Sequence, residues 1–262
     1  MTSGLVFIGG LHRSGTSPLH RMLASHPAAS GFSNTGVPED EGQHLQSLVP
    51  PARAHGGPGA FGRHPAAHLT ESDERCTPEG AAQVLEEWSP YWDPSAQVKV
   101  EKSPPNIIRF RFLQGLFPGA LAVAVIRHPL AVALATSKWT RGTSLSALVE
   151  HWCLVHERFA EDVPVIHPLL IIHYEHLIED PADVASKLAV QLDITTEFRI
   201  ADIRRDGNRR YAEMWREQTS RTMTRRAREK LVDRYAERVE RLGYRLDDLE
   251  APPSPEVWLR SR

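Results

Sequence analysis

The feature that most constrains this chain is a set of short apolar runs, each stopping at a glycine-bearing or charged loop. Leu5 to Ile8 ends at Gly9 and Gly10, Leu121 to Ile126 ends at Arg127, and Leu169 to Ile172 precedes Tyr174 and Glu175. Apolar runs of this length read as strands buried on both faces, as in a parallel sheet. Val98 to Val100, ahead of Glu101 and Lys102, is a further strand candidate. Helical patterns lie between them: from the loop before Leu19 to a stop at His26 and Pro27, Ile107 to Phe117, Arg127 to about Trp139, Ser144 to Glu161, and Tyr174 to about Leu192. Pro18 suits a first helical turn, where its missing N–H costs nothing. Strands alternating with helices predict an α/β fold, P-loop-like, with three α/β/α layers and a central, mostly parallel sheet.

The length of 262 residues fits a single domain, 1–262, with insertions. A loop-rich stretch at about 51–80, dense in Gly, Pro, Ala and His, reads as a long loop, a lid or a disordered surface insertion. A charged helical segment is expected at about 205–245, with Arg221 to Arg241 a solvated helix of i,i+4 pairs. Lys plus Arg number 31 against 33 Asp plus Glu, a net charge of −2, so no global basic field exists for nucleic acid. Cys76 and Cys153 are too few for a disulfide framework and read as free thiols in a reducing compartment. The first residues lack a signal-peptide pattern and no apolar run is long enough to span a membrane, so a cytoplasmic protein is expected. His55, His64 and His68 lack metal-ligand spacing, and no metal site is expected.

In such sheets ligands bind beyond the carboxyl ends of the strands. Three of the strand ends carry cations: Arg13, Lys102 and Arg127. The first loop, Gly10 to Ser17, nearly matches the Walker pattern, but Thr16 stands where the lysine belongs. That departure disfavours triphosphate hydrolysis. The loop can still cradle one phosphate-like group through backbone N–H groups, the helix start and the hydroxyls of Ser14, Thr16 and Ser17. The plain alternative is a βα turn with an exposed arginine. Arg127 likewise has an ordinary alternative, capping a helix or pairing with a carboxylate, and Tyr174 reads equally well as a plain strand-end residue.

The stretch Phe7 to Ser17, with Arg13, Ser14, Gly15 and Thr16 in order, resembles the 5′-phosphosulfate loop of sulfotransferases that use 3′-phosphoadenosine 5′-phosphosulfate. It is most similar to the arginine-loop branch that includes tyrosylprotein sulfotransferases and many bacterial enzymes. Val125 to Ser137 resembles the 3′-phosphate motif, Ile172 to Leu177 the strand-end Y-E-x-L segment, and Glu101 to Pro104 the K-[TDS]-P segment. The resemblance runs in order over about residues 5–190. It implies sulfuryl transfer from that donor, without metal, to a hydroxyl or amine of a small-molecule acceptor.

Residue by residue, the resemblance implies donor contacts from Gly10, His12, Arg13, Ser14, Gly15, Thr16, Ser17, Arg127 and Tyr174. The family's serine lies eight positions past the arginine, where this chain has Ala135, so Thr136 or Ser137 takes its place. Arg13 and Lys102 would oppose charge growing on the bridging oxygen. The acceptor needs a general base. The branch places a glutamate shortly after the first helix, and Glu39 and Glu41 both qualify; Glu41 is favoured because Gly42 permits close approach. His12, His20 and His44 are alternative bases, and a solvated acidic turn is the plain reading. Trp139, after its helix, is placed to stack on adenine, but a helix-end tryptophan is more often core or rim. One of Arg204, Arg205, Arg209 and Arg210 would reach the 3′-phosphate. The rival readings are a P-loop small-molecule kinase, which calls for magnesium and the missing lysine, and a non-catalytic nucleotide-binding protein.

Overall fold

A computed structural model of the protein describes residues 4–200, 203, 207–218, 225–254 and 256–259. Five strands form one parallel sheet: β1 (Leu5–Gly10), β2 (Ala29–Gly31), β3 (Val98–Lys102), β4 (Leu121–Ile126) and β5 (Leu169–His173), in the order β2-β3-β1-β4-β5. The apolar runs become strands because both faces are covered. Alternate residues point to opposite sides, as strand geometry requires. Val6, Ile8, Val123 and Val125 pack with Leu19, Met22 and Leu23 of α1 (Thr16–Ala24) on one face. Phe7, Ala122, Ala124 and Ile126 pack on the other, with Phe112 of α3 (Phe110–Leu116), Leu130 of α4 (Pro129–Thr136) and Trp152 of α5 (Leu145–Asp162). The result is the expected three-layer α/β fold.

Register then sets the site. Ile8 pairs with Lys102 and Gly10 with Val125, so the carboxyl ends of β1, β3 and β4 finish nearly level. The loop after β1, Lys102 and Arg127 thereby reach one edge of the sheet.

Several elements differ from the sequence expectation. The segment at 51–80 is packed. Its short 3-10 turns bury Ala52, Phe61, Ala67 and Leu69, and Arg109 donates to Ala67 O at 3.2 Å and Pro50 O at 3.0 Å. Gly62 N–H donates to His151 Nε2 at 3.0 Å, and Arg158 donates to Gly62 O at 2.8 Å. Side chains of the core satisfy the loop backbone, which no periodicity announces. Helix α2 (Pro78–Trp88) follows it, with Thr77 accepting from Gly80 N–H at 3.1 Å and Pro78 in the first turn. Ile107 to Phe117 opens as a 3-10 turn, Pro104–Ile108, because two prolines supply no N–H. The segment after β5 divides into α6 (Tyr174–Glu179) and α7 (Pro181–Leu192) where Asp180 leaves helical geometry and caps α7. Towards the C-terminus, α8 (Arg209–Gln218) and α9 (Arg225–Glu240) match the expected charged segment; residues 221–224 of the expected helix lie outside the described residues. One side of α9 is buried through Leu231, Tyr235 and Val239, and Arg238 pairs with Glu157 of α5 at 2.6 Å. Among the described residues no helix is long and apolar enough to cross a membrane.

Candidate active site

The loop after β1 is a tight turn, closed by Ser14 N–H donating to Leu11 O at 2.9 Å. Arg13 (φ 72°) and Gly15 (φ 107°) are both left-handed. Gly15 is needed there on two counts, since a Cβ would also lie 2.3 Å from the ring of Tyr174. Among the described residues no side chain caps α1, and its first turn holds no acidic residue to offset its positive end. Ser14 Oγ is buried and has no hydrogen-bond partner among the described residues. A buried hydroxyl in that state is costly unless something else meets it. His12 lies in the same loop, and burial with the nearby Lys102 charge pushes its pKa down to about 3, so it is neutral.

Around this loop lies a cavity of about 320 Å³ lined by His12, Arg13, Gly15, Thr16, Ser17, Glu39, Glu41, Arg127 and Tyr174 of the expected residues. Pro18, Arg21, Pro104 and Trp139 complete it. Trp139, 52% exposed, covers the Arg13 guanidinium at 4.9 Å. Arg127 is a hub: it donates to Arg13 O at 2.9 Å, Gly207 O at 2.7 Å and Asn208 Oδ1 at 2.8 Å. Its guanidinium carbon lies 4.1 Å from the centre of the Tyr174 ring. A guanidinium carries five N–H groups, so one on each terminal nitrogen is left over from these bonds. Glu175 holds Asn208 through a 2.7 Å bond and accepts from His128 N–H and Tyr244 Oη.

The acidic run reaches the cavity through a strained turn. Glu39 (φ 55°) and Asp40 (φ 50°) are left-handed, and Asp40 accepts from the amide and hydroxyl of Thr35 at 2.8 and 2.7 Å. The two glutamates separate: Glu39 is exposed, whereas Glu41 is 6% exposed. Glu41 accepts from Lys102 Nζ at 3.3 Å and from the side chain of Gln43. Lys102, 1% exposed, also donates to Glu39 O at 2.8 Å. Burial raises the Glu41 carboxyl above its ordinary range, against the pull of Lys102. Beside it, Glu101 is buried and pushed up to about 7 despite bonds from Ser103 and Asn106.

Other expected residues lie elsewhere. Gly10 sits beneath the loop, where a Cβ would meet Ser14 Oγ and Val125 O at 2.5 Å. Thr136 lines a separate small void with His12, Gly59 and His151, and its buried hydroxyl has no partner among the described residues. Ser137 donates to Leu134 O of its own helix at 2.9 Å. His20 and Lys102 line a neighbouring groove of about 660 Å³, which shares Ser17, Arg21 and Glu39 with the first cavity. Of the C-terminal arginines, Arg209 pairs with Glu213 at 3.2 Å, Arg210 is exposed, and Arg204 and Arg205 lie outside the described residues. Among the described residues no cluster of three or more His, Cys, Asp or Glu is placed to hold a metal ion. Sequence reasoning missed Arg21, one turn into α1, and Asn208 behind Arg127; Glu175 was named within the Y-E-x-L segment, but its hold on Asn208 exists only in the folded chain.

A cleft at the carboxyl edge of a parallel sheet, entered by a glycine turn and an uncapped helix, belongs to the α/β class that seats ligands at strand ends. The chain belongs to the sulfotransferase family, whose profile matches residues 6–199, and is a transferase. Its structure is similar to that of a sulfotransferase from Alicyclobacillus acidocaldarius, with 16% identity and a TM-score of 0.53 over 97% of this chain and 98% of that one. It is also similar to the sulfotransferase domain of a Synechococcus olefin synthase, with 18% identity and a TM-score of 0.50 over 89% and 94%. At these identities the likeness is one of fold. No curated protein matches the chain.

Proposed function

We propose that the protein moves a sulfuryl group from 3′-phosphoadenosine 5′-phosphosulfate to a hydroxyl or amine of a small-molecule acceptor, in the cytoplasm and without metal. The observation that carries this reading is the opposition across one cleft of an anion-ready loop and the buried Glu41 carboxylate, which Lys102 grips from the adjoining groove. On the loop side stand Arg13, the uncapped start of α1 and the unpartnered Ser14 hydroxyl. These fit a phosphosulfate group: donors and positive charge only, with no carboxylate in the helix's first turn. When bound, the donor supplies an electrophilic sulfur and a bisphosphate leaving group.

The chain's own residues do the rest. Gly10, His12, Gly15, Thr16 and Ser17 shape and line the cradle, and Arg13 and Lys102 oppose the charge that grows as the bond to the bridging oxygen breaks. Glu41 takes the proton of the acceptor, with Glu39 the alternative glutamate of the turn. Burial raises the Glu41 pKa and makes it a stronger base, while Lys102 pulls against that shift. Arg127, with Tyr174 against it, holds the 3′-phosphate, with the hydroxyl of Thr136 or of Ser137 to assist. The acceptor enters by the groove beside α1, on the flank of the loop away from Arg127. The serines, His20, Arg21 and Asp93 lining that groove favour a polar acceptor.

The test is transfer of labelled sulfate from the donor onto a library of polar acceptors, with and without chelator. Transfer that survives EDTA is expected, because the donor has no triphosphate tail for magnesium to bridge. Loss with EDTA and restoration by magnesium, with ATP consumed instead, overturns the reading in favour of a kinase.

A further inference from the structure

Glu101 does not line the cleft, yet it is 1% exposed and its carboxylate is fully engaged. Oε1 accepts from Gly42 N–H at 3.1 Å and Ser103 Oγ at 2.6 Å, and Oε2 accepts from Asn106 Nδ2 at 2.6 Å. These partners come from separate segments. Gly42 directly follows Glu41. Asn106 gives its other amide hydrogen to Ile8 O at 3.1 Å, in the strand that leads into the Arg13 loop. Ser103 Oγ also accepts from Gln43 N–H at 2.9 Å. On the far side of the turn, Trp88 Nε1 donates to Gly42 O at 3.0 Å. The peptide units next to Glu41 are thus held from both sides. The fit is close: a Cβ on Gly42 would lie 2.5 Å from Glu101 Cγ and Oε1.

Lys102, the next residue of β3, grips the same turn through Glu39 O and the Glu41 carboxylate. Two consecutive residues therefore divide the work, one on the backbone and one on the side chain. A buried carboxylate is costly to keep, and an apolar residue would fill the same space without that cost.

We propose that Glu101 is a positioning residue for sulfuryl transfer: through Gly42, and through Ser103 to Gln43, it sets the turn that aims Glu41 into the cleft beside Lys102. The inference rests on Glu41 being the proton acceptor. Gln cannot replace Glu101. In either orientation its amide nitrogen faces a fixed donor, Gly42 N–H or Asn106 Nδ2, and Asn106 cannot turn without abandoning Ile8 O.

The experiment compares Glu101→Gln with Glu41→Gln in the full chain, reading kcat, the affinity for adenosine 3′,5′-bisphosphate, and the Trp88 indole N–H resonance, assigned with Trp88→Phe. Hydrogen bonds to a charged group set the expected size: kcat falls about ten- to a hundredfold in Glu101→Gln. Nucleotide affinity stays within about twofold, since no loop contact is touched. The Trp88 resonance moves in Glu101→Gln and stays in place in Glu41→Gln. Unchanged kcat in Glu101→Gln, or a loss shared equally by nucleotide affinity with Trp88 unmoved, overturns the positioning role. Unchanged kcat in Glu41→Gln instead removes the proton-acceptor reading, and this inference with it. If Glu101→Gln does not fold, Ser103→Ala carries the test, because it loosens Gln43 while keeping the Glu101 side chain and its bond to Gly42. A severalfold loss of kcat with a shifted Trp88 signal supports the role, and unchanged kcat overturns it.

Discussion

Glu39 and Glu41 are two residues apart and end in opposite environments, because a left-handed turn at Glu39 and Asp40 rolls the next carboxylate under Lys102. Glu41→Gln keeps the size and removes the proton-accepting oxygen, so kcat should fall steeply with nucleotide affinity nearly unchanged. The same change at exposed Glu39 should do much less. The pH profile follows from the direction of the shift. A base must be ionised, burial raises the Glu41 pKa, and activity is therefore lost as pH falls through that raised value. The acidic limb should lie above the ordinary glutamate range and vanish in Glu41→Gln; a limb at the ordinary position, or one that persists, counts against Glu41. Arg13 is the matching cation on the other wall. Arg13→Ala should lower turnover about a hundred- to a thousandfold, the range for removing one preorganised donor to a developing anion. Circular dichroism should show the fold intact, and normal turnover in such a protein would remove the loop from the mechanism.

The strand–loop–helix unit of β1 and α1 depends on an element distant in sequence. Tyr174, at the start of α6, packs its ring on Gly15, where even a methyl group would overlap it. Gly15→Ala should therefore weaken adenosine 3′,5′-bisphosphate binding and destabilise the fold by about 1–3 kcal/mol, from the left-handed backbone and the overlap together. Adding Tyr174→Ala should relieve the overlap and recover part of the thermal stability. No recovery would place the whole cost in the backbone. Helix α2 shows the converse, an element whose local signals were present and unread. Thr77 before Pro78 is a cap followed by a first-turn proline, yet it stood at the end of a Gly- and Pro-rich stretch that masked it.

Arg127 ties three distant parts of the molecule together: the end of β4, the Arg13 carbonyl and the segment at Gly207 and Asn208. Its loss is felt by any ligand of the cleft, so only a comparison between ligands isolates its role toward phosphate. Arg127→Ala should weaken adenosine 3′,5′-bisphosphate about ten- to a hundredfold more than adenosine 5′-phosphate, the worth of a charged hydrogen bond. Titration calorimetry with both nucleotides reads that difference. Equal losses would mean that Arg127 serves the fold alone.

The β1, β4 and β5 runs were legible in the sequence because a strand covered on both faces needs continuous apolar residues, and the sulfotransferase motifs were legible because they sit where those runs stop. Strand β2, with three residues and no apolar run, was not, since its place comes from pairing with β3. The packing of 51–80 was also hidden, because Arg109, His151 and Arg158 reach it from far along the chain. Within the site, the residue types were readable but their partners were not. Local sequence determines which side chains stand at the strand ends. Burial and hydrogen bonding across distant segments decide that Glu41 is sheltered and Glu39 is not, that Ser137 turns back on its own helix, and that Glu101 holds the turn, because those contacts exist only once the layers have closed.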